Sequence, residues 1–337
     1  MILLINPRTS KPSEVRSHFF RDPNLGLLYL AAILELNDIS VDILDLEQFN
    51  DLNESELENI IKDRIIDYRI FGITSLTNTF HLALNIIRII KTQVKDSFII
   101  LGGPHVSFMY KEILEHDKKT ENLIDFICIG EAEYSFLKLV KILTSQISTG
   151  KIREEFEPLL NDIKGLAYFK LDGKIHVNNT YEEIDLENLP LPARHRLSQE
   201  NYYYSVANVI VNRGCPNQCS FCSRQNLFKN TRIRSIESIL KEIRDIQSYN
   251  HINFYDNINI NRKFFRDFCE MFIENNIDMP WGCELRVDTI SYEEASLLKS
   301  AGCQLIATGI ESANEIVLRT NFKYQDPEQV RTGIINL

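Results

Sequence analysis

Through residues 1–143, short apolar runs rich in β-branched residues alternate with longer amphipathic stretches, and few folds accept that rhythm. "MILLIN" (1–6) reads as a buried strand and "LGLLYLAAILELND" (25–38) as a helix. "VDILDL" (41–46) is the next strand, followed by a helix over 54–67 that starts with acids. "IFGITSL" (70–76) precedes a helix over 80–93, and "SFIILGG" (97–103) is a fourth strand. "DFICIG" (125–130) is a fifth, with "EAEYSFLKLVKIL" as its helix. Strand–helix alternation predicts a parallel sheet covered by helices on both faces. In such sheets ligands bind where the strands end at their carboxyl side.

The loops at those ends are "INPR" (5–8), "TSLT" (74–77), "GGPH" (102–105) and "GEAE" (130–133). Gly102 and Gly103 remove side chains where a flat or bulky group could approach the backbone, or else simply let the strand exit tightly. No G-x-G-x-x-G follows the first strand, which disfavours a nicotinamide site.

Residues 146–200 break the rhythm. "GLAYFKLDGKIHVNN" (165–179) predicts a β-hairpin turning at Asp172-Gly173, and "ENLPLPARHRL" (187–197) reads as an interdomain connector. His195 there is expected at the surface without partners. From 205 the alternation resumes: strands at 205–213, 251–256, 281–287 and 303–312, helices at 235–247, 261–275 and 291–302. Ser291 is a plausible N-cap.

A formal charge of −10 argues against a general nucleic-acid binder. The basic run Lys229, Arg232, Arg234 is expected to be a solvated or anion-facing loop. The N-terminus turns polar too soon for a signal peptide, no apolar stretch reaches membrane-spanning length, and the expected compartment is the cytoplasm. Seven cysteines without an export signal favour metal or redox chemistry over disulfides. Three of them, Cys215, Cys219 and Cys222, form C-x3-C-x2-C within "RGCPNQCSFCSR" (213–224). Structural zinc wants four ligands, usually as two close pairs, and ferredoxin spacings differ. Cys269, Cys283 and Cys303 stand singly and read as small buried side chains. Three thiolates suit a four-iron four-sulfur cube with one iron left open.

At this stretch the chain resembles the radical S-adenosylmethionine (SAM) superfamily, whose C-x3-C-x2-C holds such a cube and whose last cysteine follows an aromatic residue, here Phe221. The resemblance implies that SAM chelates the open iron and that one electron cleaves it to a deoxyadenosyl radical. "NFYDNINI" is similar to the family's second barrel strand, making Asp256 and Asn257 candidates for the SAM amino group. "CELRVD" resembles the third, with Glu284 and Arg286 toward cofactor or substrate. "TGIES" resembles the fourth, with Glu311 and Ser312 near the ribose and methionine parts of SAM.

"NLGLLYLAAILE", "GITSLT", "GGPHVS" and "GEAE", in that order, are similar to the cobalamin-binding domain fused to many such enzymes. That resemblance implies a corrin site at Asn6, Thr74, Ser75, Thr77, Gly102, Gly103, Gly130 and Glu131, with His105 at the corrin edge or in a structural role. The D-x-H-x-x-G motif of stand-alone cobalamin domains is missing. Its nearest stretch, "DPNLGL" (22–27), has Asn24 where the histidine would stand, so no protein histidine below the cobalt is expected.

The expected fold is therefore α/β: a Rossmann-like parallel-sheet domain over 1–145, a linker with a β-hairpin over 146–200, and a partial (β/α) TIM-type radical SAM barrel over 201–337, truncated after four βα units. The expected cofactors are a 4Fe-4S cluster, SAM and cobalamin. The expected partners are a small-molecule or peptide substrate that no residue pattern identifies and an electron donor such as flavodoxin or ferredoxin, with no nucleic acid. The expected chemistry is methyl transfer to an unactivated carbon or phosphorus, or a related radical modification. The alternatives are a non-catalytic cobalamin and iron–sulfur binding protein with an incomplete barrel, and a radical SAM enzyme that does not use cobalamin.

Overall fold

The computed structural model describes residues 1–9, 23–49, 52–150, 153–178, 183–197 and 205–337. Asp22 of the 22–27 stretch, residue 179 at the close of the hairpin and residues 201–204 at the start of the expected barrel lie outside them. The chain forms two compact units, the first taking in the bulk of residues 1–184 and the second the bulk of 205–337.

In the first unit, β1 (Ile2–Asn6), β2 (Val41–Asp45), β3 (Ile70–Thr74), β4 (Phe98–Gly102) and β5 (Phe126–Cys128) are parallel. Between them run α1 (Leu25–Leu36), α2 (Glu54–Ile65), α3 (Phe80–Gln93) and α4 (Pro104–Thr120), and after β5 come α5 (Glu133–Thr149) and α6 (Arg153–Leu160). The strands read as unbroken apolar runs because both faces are covered. Ile2 and Leu4 join the core under α1, α5 and α6, whereas Leu3 and Ile5 join the core under α2, α3 and α4.

The hairpin β6 (Leu166–Phe169) and β7 (Ile175–Val177) departs from the expected linker. It pairs antiparallel with β5 and completes a seven-stranded sheet of order β2-β1-β3-β4-β5-β6-β7. The physical reason is burial: Leu166, Ala167 and Tyr168 are fully enclosed, and the free edge of β5 satisfies their backbone groups. His195, expected without partners, is exposed but shares a hydrogen bond with Glu35 Oε1 at 3.1 Å, while Arg196 also reaches that carboxylate.

The second unit opens with β8 (Val206–Val209) and β9 (Asn212–Arg213), followed by α7 (Arg224–Leu227) and β10 (Arg232–Ile233), which pairs back on β9. Then come α8 (Ile236–Asp245), β11 (His251–Asn257), α9 (Arg262–Glu274), β12 (Trp281–Glu284), α10 (Tyr292–Ser300) and β13 (Cys303–Ala307). Helices α11 (Glu315–Thr320) and α12 (Pro327–Asn336) follow. β8, β11, β12 and β13 form a parallel sheet in the order β13-β12-β11-β8, so the four expected strand–helix units are present. The core gathers Phe254, Phe268, Phe272 and Trp281, with Trp281 Nε1 donating to Ala301 O at 2.7 Å. Ser291 caps α10 in a reciprocal capping box with Glu294.

One expectation about a single residue fails here. Arg234 is not solvated: it is 5 % exposed and pairs at 2.5 Å with Glu242, which is fully buried. Of the cysteines expected as small buried side chains, Cys269 and Cys283 are buried and Cys303 is half-buried. Brought together on neighbouring strands, Cys283 and Cys303 share a thiol hydrogen bond that pushes Cys283 well up and pulls Cys303 down, with Cys269 close enough to add to the rise of Cys283.

Candidate functional site

In the first unit, sheet order changes direction between β1 and β3, where neighbours on either side are reached by opposite crossovers. The strand order 2-1-3-4-5 places its crevice at that switch point. Asn6, Thr74, Ser75 and Gly102 are the residues that end or leave these strands. Asn6 Nδ2 donates to Asp45 Oδ1 at 2.9 Å, and its own Oδ1 accepts from Asn24 Nδ2 at 3.4 Å. Asn24 also caps α1 through Leu27 N at 3.2 Å. The residue standing where a cobalt-ligating histidine was not expected therefore serves as a helix cap.

Gly103 has φ 99°, and a Cβ there would lie 2.7 Å from Ser75 O and 2.9 Å from Thr74 Oγ1. This close passage is stitched by Ser75 N donating to Gly102 O at 3.0 Å and His105 N to Ser75 O at 3.4 Å. Gly102 differs, because a Cβ there would meet nothing within 4 Å among the described residues. Ser107 Oγ donates to Gly103 O at 2.9 Å and accepts from Gly130 N at 3.0 Å, so the "GGPH" and "GEAE" loops are tied together. His105 shares a 3.1 Å hydrogen bond with Thr77 Oγ1 and packs on Phe80 with ring centroids 4.5 Å apart. Burial lowers its pKa and favours the neutral ring. Glu131 follows Gly130 in the same loop and is half-buried. Among the described residues, Ser75 Oγ is buried with no hydrogen-bond partner. A buried orphan hydroxyl beside an open glycine fits a polar group arriving from outside the chain.

In the second unit, the expected residues gather at the carboxyl ends of β8, β11, β12 and β13. Cys215, Cys219 and Cys222 lie on the loop from β9 to α7, each partly exposed. Ser220 pins the loop, donating from its backbone N to Asn321 O and from its Oγ to Asn321 Oδ1, both at 3.0 Å. Burial pushes the Cys219 thiol up; Lys323 opposes the rise, and Cys222 and Cys215 add to it. The three sulfurs thus share one field. Among the described residues no three His, Cys, Asp or Glu side chains converge as ligands of one metal ion. A cube makes no such demand, since each thiolate binds a different iron.

Asp256 Oδ2 accepts from Val211 N at 2.9 Å and Asn212 N at 3.3 Å, so this carboxylate first holds the backbone entering β9. Burial raises its pKa, and Arg224 and those two amides oppose the rise. The Asn257 side chain closes a turn on Asn259 N at 3.2 Å. Glu284 accepts from Arg224 Nη2 at 3.0 Å, and burial nevertheless leaves its pKa raised. Arg286 grips both oxygens of Asp288, at 3.1 and 2.7 Å, and donates to Tyr324 O at 2.6 Å. Burial would raise Asp288, but its bonds to Arg286 and Gln325 outweigh burial and hold it below the usual carboxylate range.

Glu311 adopts φ 61°, a left-handed conformation costing about 1–2 kcal/mol for a residue with a Cβ. Lys323 Nζ bonds Glu311 Oε1 at 3.0 Å and Gly309 O at 2.6 Å, and a side chain at Gly309 would collide with this pair. Lys323 also stands 5.9 Å over the Phe221 ring. Ser312 Oγ accepts from Asn314 N at 3.0 Å. Arg224, Lys323 and Asn217 are the residues that sequence reasoning missed. Arg224 lies two residues past Cys222, which is a usable signal; Lys323 lies in no motif.

Two family profiles match the chain: the B12 binding domain over residues 20–140 and the radical SAM superfamily over 209–337. An uncharacterized methyltransferase of Pyrococcus horikoshii is 31 % identical over 97 % of this chain and 69 % of its own. The anaerobic magnesium-protoporphyrin IX monomethyl ester cyclase of Rubrivivax gelatinosus is 29 % identical over 99 % of this chain and 59 % of its own. The solved structure of the cobalamin-dependent S-adenosylmethionine radical enzyme OxsB, with aqua-cobalamin and S-adenosylmethionine bound, aligns with a TM-score of 0.76 at 20 % identity. It covers 99 % of this chain and 47 % of OxsB. The chain thus spans between about half and about two thirds of the length of these relatives.

Proposed function

We propose that this chain, which belongs to the radical SAM superfamily and carries an N-terminal B12-binding domain, uses a 4Fe-4S cluster, SAM and cobalamin to transfer a methyl group or carry out a related radical modification. The observation that carries the reading is the loop from β9 to α7 that presents Cys215, Cys219 and Cys222, with Arg286 bonded to Asn217 of that loop, Lys323 acting on Cys219 and Arg224 two residues past Cys222. When bound, the cluster supplies one electron to SAM and cobalamin carries a methyl group; that chemistry is the cofactors' own.

The chain's part is to bind and orient. The three thiols hold the cluster and leave one position to SAM. Phe221 stands on the loop between Cys219 and Cys222, exposed, with Lys323 Nζ 5.9 Å over its ring. Arg224 and Lys323 carry the positive charge that a SAM carboxylate requires, and Glu284 and Glu311 carry negative charge suited to its amino and ribose groups. In the first unit, Gly102 leaves room for a corrin edge and Ser75 Oγ offers it a hydrogen bond. Thr74, Thr77 and the "GEAE" loop line the rest. The electron comes from a one-electron donor such as flavodoxin or ferredoxin. Among the described residues no helix is long and apolar enough to cross a membrane.

Anaerobic reconstitution with iron and sulfide, then reduction with SAM present, should release deoxyadenosine. A Cys215→Ala/Cys219→Ala/Cys222→Ala variant that released as much would sink this reading. Corrin absorbance retained after purification from cobalamin-supplemented cells tests the first unit separately.

A further inference from the structure

One side chain of the cysteine loop reaches a cysteine sulfur. Asn217 Nδ2 donates to Cys215 Sγ at 3.3 Å. The other end of the same amide accepts from Arg286 Nη1, at 2.8 Å from Oδ1. A guanidinium can only donate, so the amide oxygen must face Arg286, and the amide NH2 is thereby turned to the sulfur. Arg286 has little freedom to release it, being bound by both Asp288 oxygens and by Tyr324 O. Asp288 is held in turn by Gln325 Nε2 at 2.9 Å, and Gln225 fixes the Asn217 main-chain carbonyl.

We propose that Asn217 and Arg286 are a positioning pair that raises the reduction potential of the cluster through an N–H···S bond to Cys215; this rests on the cluster reading above. A donor on a ligating sulfur withdraws electron density and stabilises the reduced, more negatively charged state. The role differs from the one the resemblance implied for Arg286, which was to face cofactor or substrate directly.

The test uses the full chain, reconstituted anaerobically and titrated with dithionite, which gives one electron to the oxidised cube to form the reduced, paramagnetic one. Electron paramagnetic resonance reads the midpoint. Asn217→Leu should shift it to more negative potential with iron and sulfide content unchanged. Arg286→Lys keeps the charge but cannot span the same acceptors, and it should shift the midpoint the same way. The double variant should shift it no further than the larger single change, because both act through one bond. Should Asn217→Leu lose iron, the smaller Asn217→Ala takes its place. A second readout needs no variant: parent protein carrying 15N in its asparagine side chains should show 15N coupling to the reduced cluster. An unmoved midpoint, additive shifts or absent 15N coupling overturns the proposal. A folded parent chain that assembles no four-iron signal fails at the earlier step, on the cluster itself.

Discussion

Gly102 and Gly103 are neighbours with opposite obligations. Gly103 is required by the chain, since its φ is 99° and any Cβ would press on the Ser75 backbone. Gly103→Ala should destabilise the first unit by about 2 kcal/mol or more, combining left-handed strain with the clash, as read from urea unfolding. Gly102→Ala has open space around it, so the unit should keep its stability while corrin affinity falls. Equal destabilisation by the two changes would remove the distinction. Arg234 and Glu242 show the same logic for charge. Arg234→Met leaves Glu242 buried without its cation and should cost about 3–5 kcal/mol in denaturant unfolding of the second unit. A loss near zero would mean that water reaches Glu242.

At the scale of elements, β2 and β3 are joined by a polar contact that reports on pH. Tyr68, just before β3, donates to Asp42 Oδ2 on β2 at 2.6 Å. Burial first, and this bond second, push the Tyr68 pKa from 10.0 up to about 12. A raised folded pKa means the neutral phenol is favoured by folding. Its contribution is complete below the unfolded value near 10 and is lost as pH rises through about 12. Alkaline titration of stability should therefore fall more steeply in the parent than in Tyr68→Phe between those pH values. Parallel slopes would refute the assignment. The strands themselves were legible because period and burial are local properties: "MILLIN" is apolar throughout since both of its faces are covered. The hairpin turn at Asp172-Gly173 was legible for the same reason, but its place on β5 was not, because no local pattern states which edge a strand will pair with.

For the whole molecule, the cores of the two units share no residue among those described, one set lying at or before residue 193 and the other at or after 207. The triple cysteine-to-alanine variant should thus lose its iron yet keep the parent's corrin absorbance after cobalamin supplementation; loss of both would show that the second unit's cluster supports the first unit's site. The sequence by itself determined the two α/β units, the cysteine loop and the glycine pair, since spacing and residue chemistry are written along the chain. It could not reveal that Arg224 meets Glu284 across 60 residues, that Lys323 closes on Glu311, or that Arg286 turns Asn217 toward Cys215. Long flexible side chains choose partners by proximity in space. Only the packing of parallel strands decides which of their ends lie side by side.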